Sequence, residues 1–327
     1  MKLGLTCISE QLKDLDKKKY SFQTMTRKRF LDLCETEGKS RAISQLSERI
    51  LHNLNVTKSI VAHCIDVGIA HYRMSSALFP LITDETLDLS IDSLPNVENI
   101  KHALKQIGAL AADKVSIGSH PDQFNVLASD NPDAVRRTIN ELNFHAKVFD
   151  LIGLPQDYKA PINIHINASP KGAGCGISEV ANKFALNLKK CDTGLIKRLT
   201  VENEDKGTFS VSNILLFHKY LKQHYNFHIP VCWDNLHDKC NNGNPNNNLL
   251  ANAKLCKATW PVGVTPVFHW SEGKPEKPRA HADYVADGNL PFYLGVKWEI
   301  ETKAKDKAIA RLKKQIKKQL QLTEAIS

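Results

Sequence analysis

Short runs of β-branched and apolar residues return along the whole chain, one helix length apart. They fall at 2–7, 70–75, 114–120, 162–167, 199–203, 229–234, 265–270 and 294–301. Most are continuously apolar rather than alternating, as parallel strands covered on both faces are. Helical patterns fill the intervals. Ser40 can cap a helix that carries Ile43, Leu46, Ile50, Leu54 and Val61 on related faces. Further helices are expected over 134–151, 178–188, 212–225, 249–257 and 304–322. Strand and helix alternating to a count of eight predict an α/β fold, the closed (β/α)8 TIM barrel. An open doubly wound sheet would place a glycine-rich phosphate loop after the first strand. Here that stretch reads Ser9-Glu10-Gln11-Leu12-Lys13-Asp14.

Two segments break the rhythm. One is a long basic insertion at about 10–39, with Lys17-Lys18-Lys19 and Arg27-Lys28-Arg29; the other is a polar Asn-Gly-Pro loop at 241–248. The period resumes after each, so a single domain over 1–327 is expected. A chain of 327 residues, 42% hydrophobic, has enough apolar side chain for one large core. Its eight cysteines form no C-x-x-C pair, which excludes a zinc-finger or thioredoxin-like reading and suits free thiols in a reducing compartment. The N-terminus meets charge too early for a secretory signal, and no apolar run reaches membrane-spanning length. A cytoplasmic monomer is expected, without a membrane partner.

Chemistry gathers at the strand ends. His120, His165, Glu202, Asp234, His269 and Glu301 follow one another at separations of 45, 37, 32, 35 and 32 residues, the lengths of single βα units. Such steps bring them to one rim of a barrel, where barrel enzymes keep their sites. His237 follows Asp234 by three residues, and His281 and Asp283 lie in the loop after the seventh strand. Imidazole and carboxylate on one point form a metal-ligand set that suits zinc, manganese or iron better than magnesium. So many ligands exceed the needs of one ion, so two or three are expected. Paired ions can clamp the attacking and leaving oxygens of a phosphodiester. His52, His63, His102, His145, His218 and His224 fall in helical stretches and are expected on the surface or in packing.

The net charge of +9 favours a polyanionic partner. Much of it lies on the last helix, opposite Ile309, Leu312, Ile316 and Leu320, where it reads as a solvated face. Arg73, Lys171 and Arg279 fall in or near rim loops and are the candidates for phosphate contacts. Past the third strand, His120-Pro121-Asp122-Gln123-Phe124 makes a rigid turn ending in an amide and an aromatic ring. Such a pair can wedge into stacked bases.

The pieces Tyr72-Arg73-Met74-Ser75-Ser76, Ser119-His120-Pro121-Asp122-Gln123-Phe124, Val201-Glu202-Asn203-Glu204-Asp205, His281-Ala282-Asp283-Tyr284-Val285 and Ile300-Glu301-Thr302-Lys303-Ala304-Lys305-Asp306-Lys307 resemble the UV damage endonucleases, barrel enzymes related to endonuclease IV. The resemblance runs in order over nearly the whole chain. It implies DNA repair by incision 5′ to UV photoproducts, and often abasic sites, leaving 3′-hydroxyl and 5′-phosphate ends. It also implies damaged double-stranded DNA as partner, association with the nucleoid through that DNA, and divalent metal, with manganese expected first and zinc second. His120, His165, Glu202, Asp234, His237, His269, His281 and Glu301 match the family's metal pattern, and Gln123 and Phe124 its probing pair. Glu202, Asp234 and Glu301 are the expected catalytic carboxylates. Glu299 points to the same side as Glu301, but the residues from Thr302 to Lys307 match the family's run after its ligand glutamate.

The chain departs from the pattern in four places. Leu5 and Phe124 stand where the family usually has tyrosine, Asp84 where it commonly has a histidine ligand, and Val267 where it often has lysine. Asp84 can still bind metal and joins the expected ligands. Two rival readings remain. One is another metal-dependent barrel enzyme, such as a sugar isomerase, which shares the ligand types; the other is a damage binder with impaired catalysis.

Overall fold

The computed structural model describes residues 1–171, 176–241, 248–285 and 290–326. Its strands are β1 (Lys2–Thr6), β2 (His71–Met74), β3 (Ser116–Ser119), β4 (Ile162–Ile164), β5 (Leu199–Glu202), β6 (Val231–Cys232) and β7 (Val267–Trp270). A short hairpin, β8 (Gly273–Lys274) and β9 (Lys277–His281), precedes β10 (Lys297–Ile300). Each barrel strand falls inside one of the eight runs. Paired in parallel, they lie in the order β6-β5-β4-β3-β2-β1-β10-β7. A parallel bridge between Asp234 and His269 then joins the two outer strands, with His269 N donating to Trp233 O at 2.9 Å. The TIM barrel is therefore the observed fold.

Side chains alternate across each strand. One set packs the apolar core: Leu3, Leu5, Tyr72, Ile117, Ile162, Ile164, Val201, Phe268, Trp298 and Ile300 are all buried. The intervening set is unusual for a barrel lumen, which bulky aliphatic residues normally fill. Thr6, His71, Asn163, Thr200, Glu202, His269 and Glu299 are buried and polar. The lumen is thus a polar column, and the rim residues stand at its upper end.

The helical layer differs from expectation in three respects. The helix Lys39–Asp66 starts from Gly38, whose φ of +89° suits glycine, and has no side-chain cap. Ser40 lies inside its first turn, so the expected Ser40 cap is not formed. The helix Val97–Ala111 was not expected, although Ile100, Ala103, Leu104, Ile107 and Ala111 make a buried stripe at helical spacing. The basic insertion is helical too, as Glu10–Leu15, Lys17–Tyr20 and Arg27–Glu37, with Phe30 and Leu33 buried. Asp306, at the start of the last helix Lys305–Ile326, accepts from the backbone N–H of Glu10 at 2.9 Å and of Gln11 at 3.2 Å, tying the two ends of the chain together. In the polar loop at 241–248, residues 242–247 lie outside the described residues, as does Cys175. Among the described residues no helix is long and apolar enough to cross a membrane.

Candidate metal centre

Glu202 ends β5 at the upper end of the lumen, fully buried. Three imidazoles reach it from other segments of the rim. His120 Nε2 donates to its Oε2 at 3.0 Å, while His237 Nδ1 and His269 Nδ1 each stand 3.1 Å from its Oε1. His165 completes the group, its ring centroid 5.0 Å from that of His120 and 5.6 Å from that of His237. From below, Asn163 Nδ2 donates to Glu202 Oε2 at 2.6 Å, and Thr200 Oγ1 holds Asn163 Oδ1 at 2.9 Å.

Asp234 caps the short helix Asn235–Cys240 by accepting from His237 N at 2.7 Å, which puts His237 on the first helical turn beside it. Asn203 clamps that corner: its Oδ1 accepts from Asp234 N at 2.8 Å and its Nδ2 donates to Asp234 O at 3.0 Å. His269 Nδ1 lies 3.5 Å from Glu301 Oε1 and 3.8 Å from Asp234 Oδ2. Among the described residues, four sets of ligand atoms each fall within 4.8 Å of one another: His120, His165 and Glu202; Glu202, Asp234 and His237; Asp234, His269 and Glu301; and Glu202, Cys232 and His269.

These charges are mutually dependent. Burial alone would raise the Glu202 carboxyl, but His269, His165, His120 and His237 outweigh it and hold the group well below its usual range. For Glu301, Arg73 and His269 likewise outweigh burial and bring the carboxyl down to about 2. Asp234 goes the other way: burial, then the nearby Glu202 and Glu301 charges, raise it against the pull of His237. Burial lowers His165 to about 4, while the carboxylates around His237 overcome burial and raise it, and Cys232 with Glu202, Glu301 and Glu299 does the same for His269. The donor set fits a cation. Asp234 Oδ2 and His269 Nδ1 are buried without a hydrogen-bond partner. His269 Nδ1 and Glu202 Oε1 approach closely without aligning as donor and acceptor, as two atoms aimed at a common point would.

Other expected residues stand apart from this cluster. Asp84 accepts from Thr86 N at 3.0 Å and Thr86 Oγ1 at 2.6 Å, faces Arg27 at 3.7 Å, and joins none of the four sets. His281, at the end of β9, reaches Glu301 Oε2 at 3.7 Å and joins none either. Arg73 is turned inward between Glu299 and Glu301 rather than to the open rim. Lys171 and Arg279 are exposed, beside Asp130 at 2.7 Å and Asp205 at 3.7 Å. Phe124 is 78% exposed. Its turn is fastened by Asp122 Oδ1, which accepts from Phe124 N at 3.0 Å, and by Asn167 Nδ2, which donates to Gln123 O at 2.7 Å. The helical histidines lie in helices, with His145 and His218 buried. Sequence reasoning missed His71, Asn163, Asn203 and Cys232. A signal for the first two was present as polar residues inside apolar runs.

A family model described as "UV-endonuclease UvdE" matches residues 1–326. The chain belongs to that family. A UV DNA damage endonuclease of Nostoc sp. is 32% identical over 318 residues, covering 95% of this chain and 89% of the relative. One from Bacillus cereus strain G9842 is 29% identical over 303 residues, covering 89% and 87%. Among solved structures, the crystal structure of SacUVDE aligns with a TM-score of 0.76 at 26% identity, over 96% of this chain and 98% of that one. Endonuclease IV from Thermus thermophilus gives 0.52 at 12% identity over 80% and 94%, a likeness of fold. The family expected from the strand-end motifs is thus the one found.

Proposed function

We propose that this member of the UV-endonuclease family is a metal-dependent DNA repair enzyme. It hydrolyses the phosphodiester 5′ to UV photoproducts and abasic sites, leaving 3′-hydroxyl and 5′-phosphate. The observation that carries the metal reading is Glu202, a buried carboxylate within 3.1 Å of imidazoles from three other segments of the rim. Divalent ions bound there, manganese first and zinc second, would supply hydroxide at neutral pH and offset charge developing on the phosphate. Glu202 belongs to three of the four ligand sets and would bridge positions. Asp234, His269 and Glu301 would form one position, His120 and His165 with Glu202 a second, and His237 with Glu202 and Asp234 a third. Asp84 and His281 lie outside these sets; His281 would steady Glu301. Phe124 and Gln123 would enter the duplex at the lesion, and Lys171 and Arg279 would take phosphates on either side.

The test is incision of a duplex carrying one photoproduct, with wild type and Glu202→Gln, before and after chelation and manganese add-back. Chelation should stop incision and manganese restore it. Glu202→Gln should lower the rate at least about a hundredfold. Incision that survives either treatment would refute the reading, and lesion binding without incision by the manganese-loaded wild type would make the chain a damage binder instead.

A further inference from the structure

Beneath the ligand cluster lies a second buried layer that the proposed reaction does not employ. Across the adjacent strands β2, β1, β10 and β7, His71 pairs in register with Gly4, Gly4 with Glu299, and Glu299 with His269. The missing side chain at Gly4 lets His71 and Glu299 meet over it: His71 Nε2 and Glu299 Oε1 are hydrogen bonded at 2.9 Å. A Cβ at Gly4 would stand 3.2 Å from His71 Cδ2, and one at Gly118 would stand 3.2 Å from His71 Cε1 and Nε2. The imidazole therefore occupies a slot between two glycines, and its Nδ1 is fixed by Ser116 Oγ at 2.8 Å. The other oxygen, Glu299 Oε2, makes no aligned hydrogen bond and meets its neighbours as an ion pair, 3.1 Å from His269 Nε2 and 3.0 Å from Arg73 Nη1.

We propose that Glu299, held in place by His71, is a positioning residue for His269. It faces His269 Nε2 and so turns Nδ1 toward Glu202, Glu301 and Asp234. Carboxylates behind metal-bound histidines commonly fix the ring in this way. An apolar pair would fill the same volume without the desolvation cost of two buried polar groups. This inference rests on the metal reading above, and its test separates the two.

Metal-stripped wild type, Glu299→Gln, His71→Leu and His71→Gln are titrated with Mn2+ by calorimetry. Incision kcat and KM, and metal-free affinity for the lesion duplex, are measured alongside. Glu299→Gln should weaken Mn2+ binding about 10–100-fold and lower kcat with it, leaving duplex affinity unchanged. His71→Leu should act in the same direction to a smaller extent. His71→Gln should recover most of that loss, because its amide N–H can still reach Glu299. If wild type binds no Mn2+, the metal reading fails and takes this inference with it. If wild type binds Mn2+ and Glu299→Gln binds it equally well, the positioning role alone is overturned. Should Glu299→Gln not fold, the two His71 variants decide: equal Mn2+ affinities in Leu and Gln, whatever their melting temperatures, overturn it.

Discussion

The two ends of this barrel treat charge in opposite ways. At the upper rim, carboxylates and imidazoles are interleaved, so that Glu202, Glu301 and His237 are each held by neighbours of opposite sign, while Asp234 is crowded by other carboxylates. At the floor, the half-buried Lys297 shares one cavity with the exposed Lys2, Asp113, Lys114 and Lys159. Burial, reinforced by Lys2 and only weakly opposed by Asp157, brings the Lys297 ammonium down to about 8. The rim contains largely compensated charge, where loss of a paired member such as Glu202 strands its partners. The floor contains charge that the fold tolerates. Charge at the rim should therefore matter for chemistry, and charge at the floor for stability alone.

Asp234→Asn should break the comparison most sharply. The amide oxygen can still cap the helix Asn235–Cys240, so local structure is retained. What is removed is a carboxylate that burial and two neighbouring carboxylates disfavour. Incision should fall at least about a hundredfold, while the metal-free protein should melt no lower than wild type. A site whose ligands are partly in conflict without metal is expected to trade stability for function. A large fall in melting temperature with incision retained would reverse the assignment.

Phe124→Ala probes the rim where it carries no buried charge. The ring is exposed, so its loss should leave the melting temperature unchanged. Stacking against a base contributes about 1–3 kcal/mol, so incision at a photoproduct should drop roughly tenfold. Phe124→Tyr should retain the wild-type rate, since the stacking face is kept. An Ala variant as active as wild type would remove Phe124 from lesion recognition.

The barrel is legible in the sequence because a strand buried on both faces must be apolar throughout, and eight such runs are hard to read otherwise. The rim is legible because βα-unit spacing fixes which end of a strand a residue occupies. Glu299 shows where this stops. By sequence it rivals Glu301 two residues on, and both do face the lumen. Their separation in depth is decided by contacts with His71 and Arg73, on a strand 228 residues away in the chain. Asp84 shows a second limit: a ligand type in the right loop is turned to Thr86 and Arg27, and short-range bonds of that kind leave no periodic trace. The helix Val97–Ala111 was legible in principle, but it comes after a long irregular segment that hides the resumption of the period.

The floor supplies the smallest and most direct test. Lys297 has a folded pKa of about 8 against an ordinary value of 10.5. Below pH 8 the folded protein must carry that ammonium against burial and Lys2, and the unfavourable contribution is fully present. As pH rises from 8 toward 10.5 the folded state has released the proton while the unfolded state still binds it, so stability recovers across that window. Lys297→Met should therefore stabilise the protein by about 1–3 kcal/mol at pH 7, with the advantage shrinking toward pH 10.5. Urea midpoints of both proteins at the two pH values measure it, and incision at pH 7 should be unaltered. An advantage equal at both values would mean that the methionine gains by packing. A loss of incision would mean that the lower end of the lumen communicates with the rim, and the division between the two ends would no longer hold.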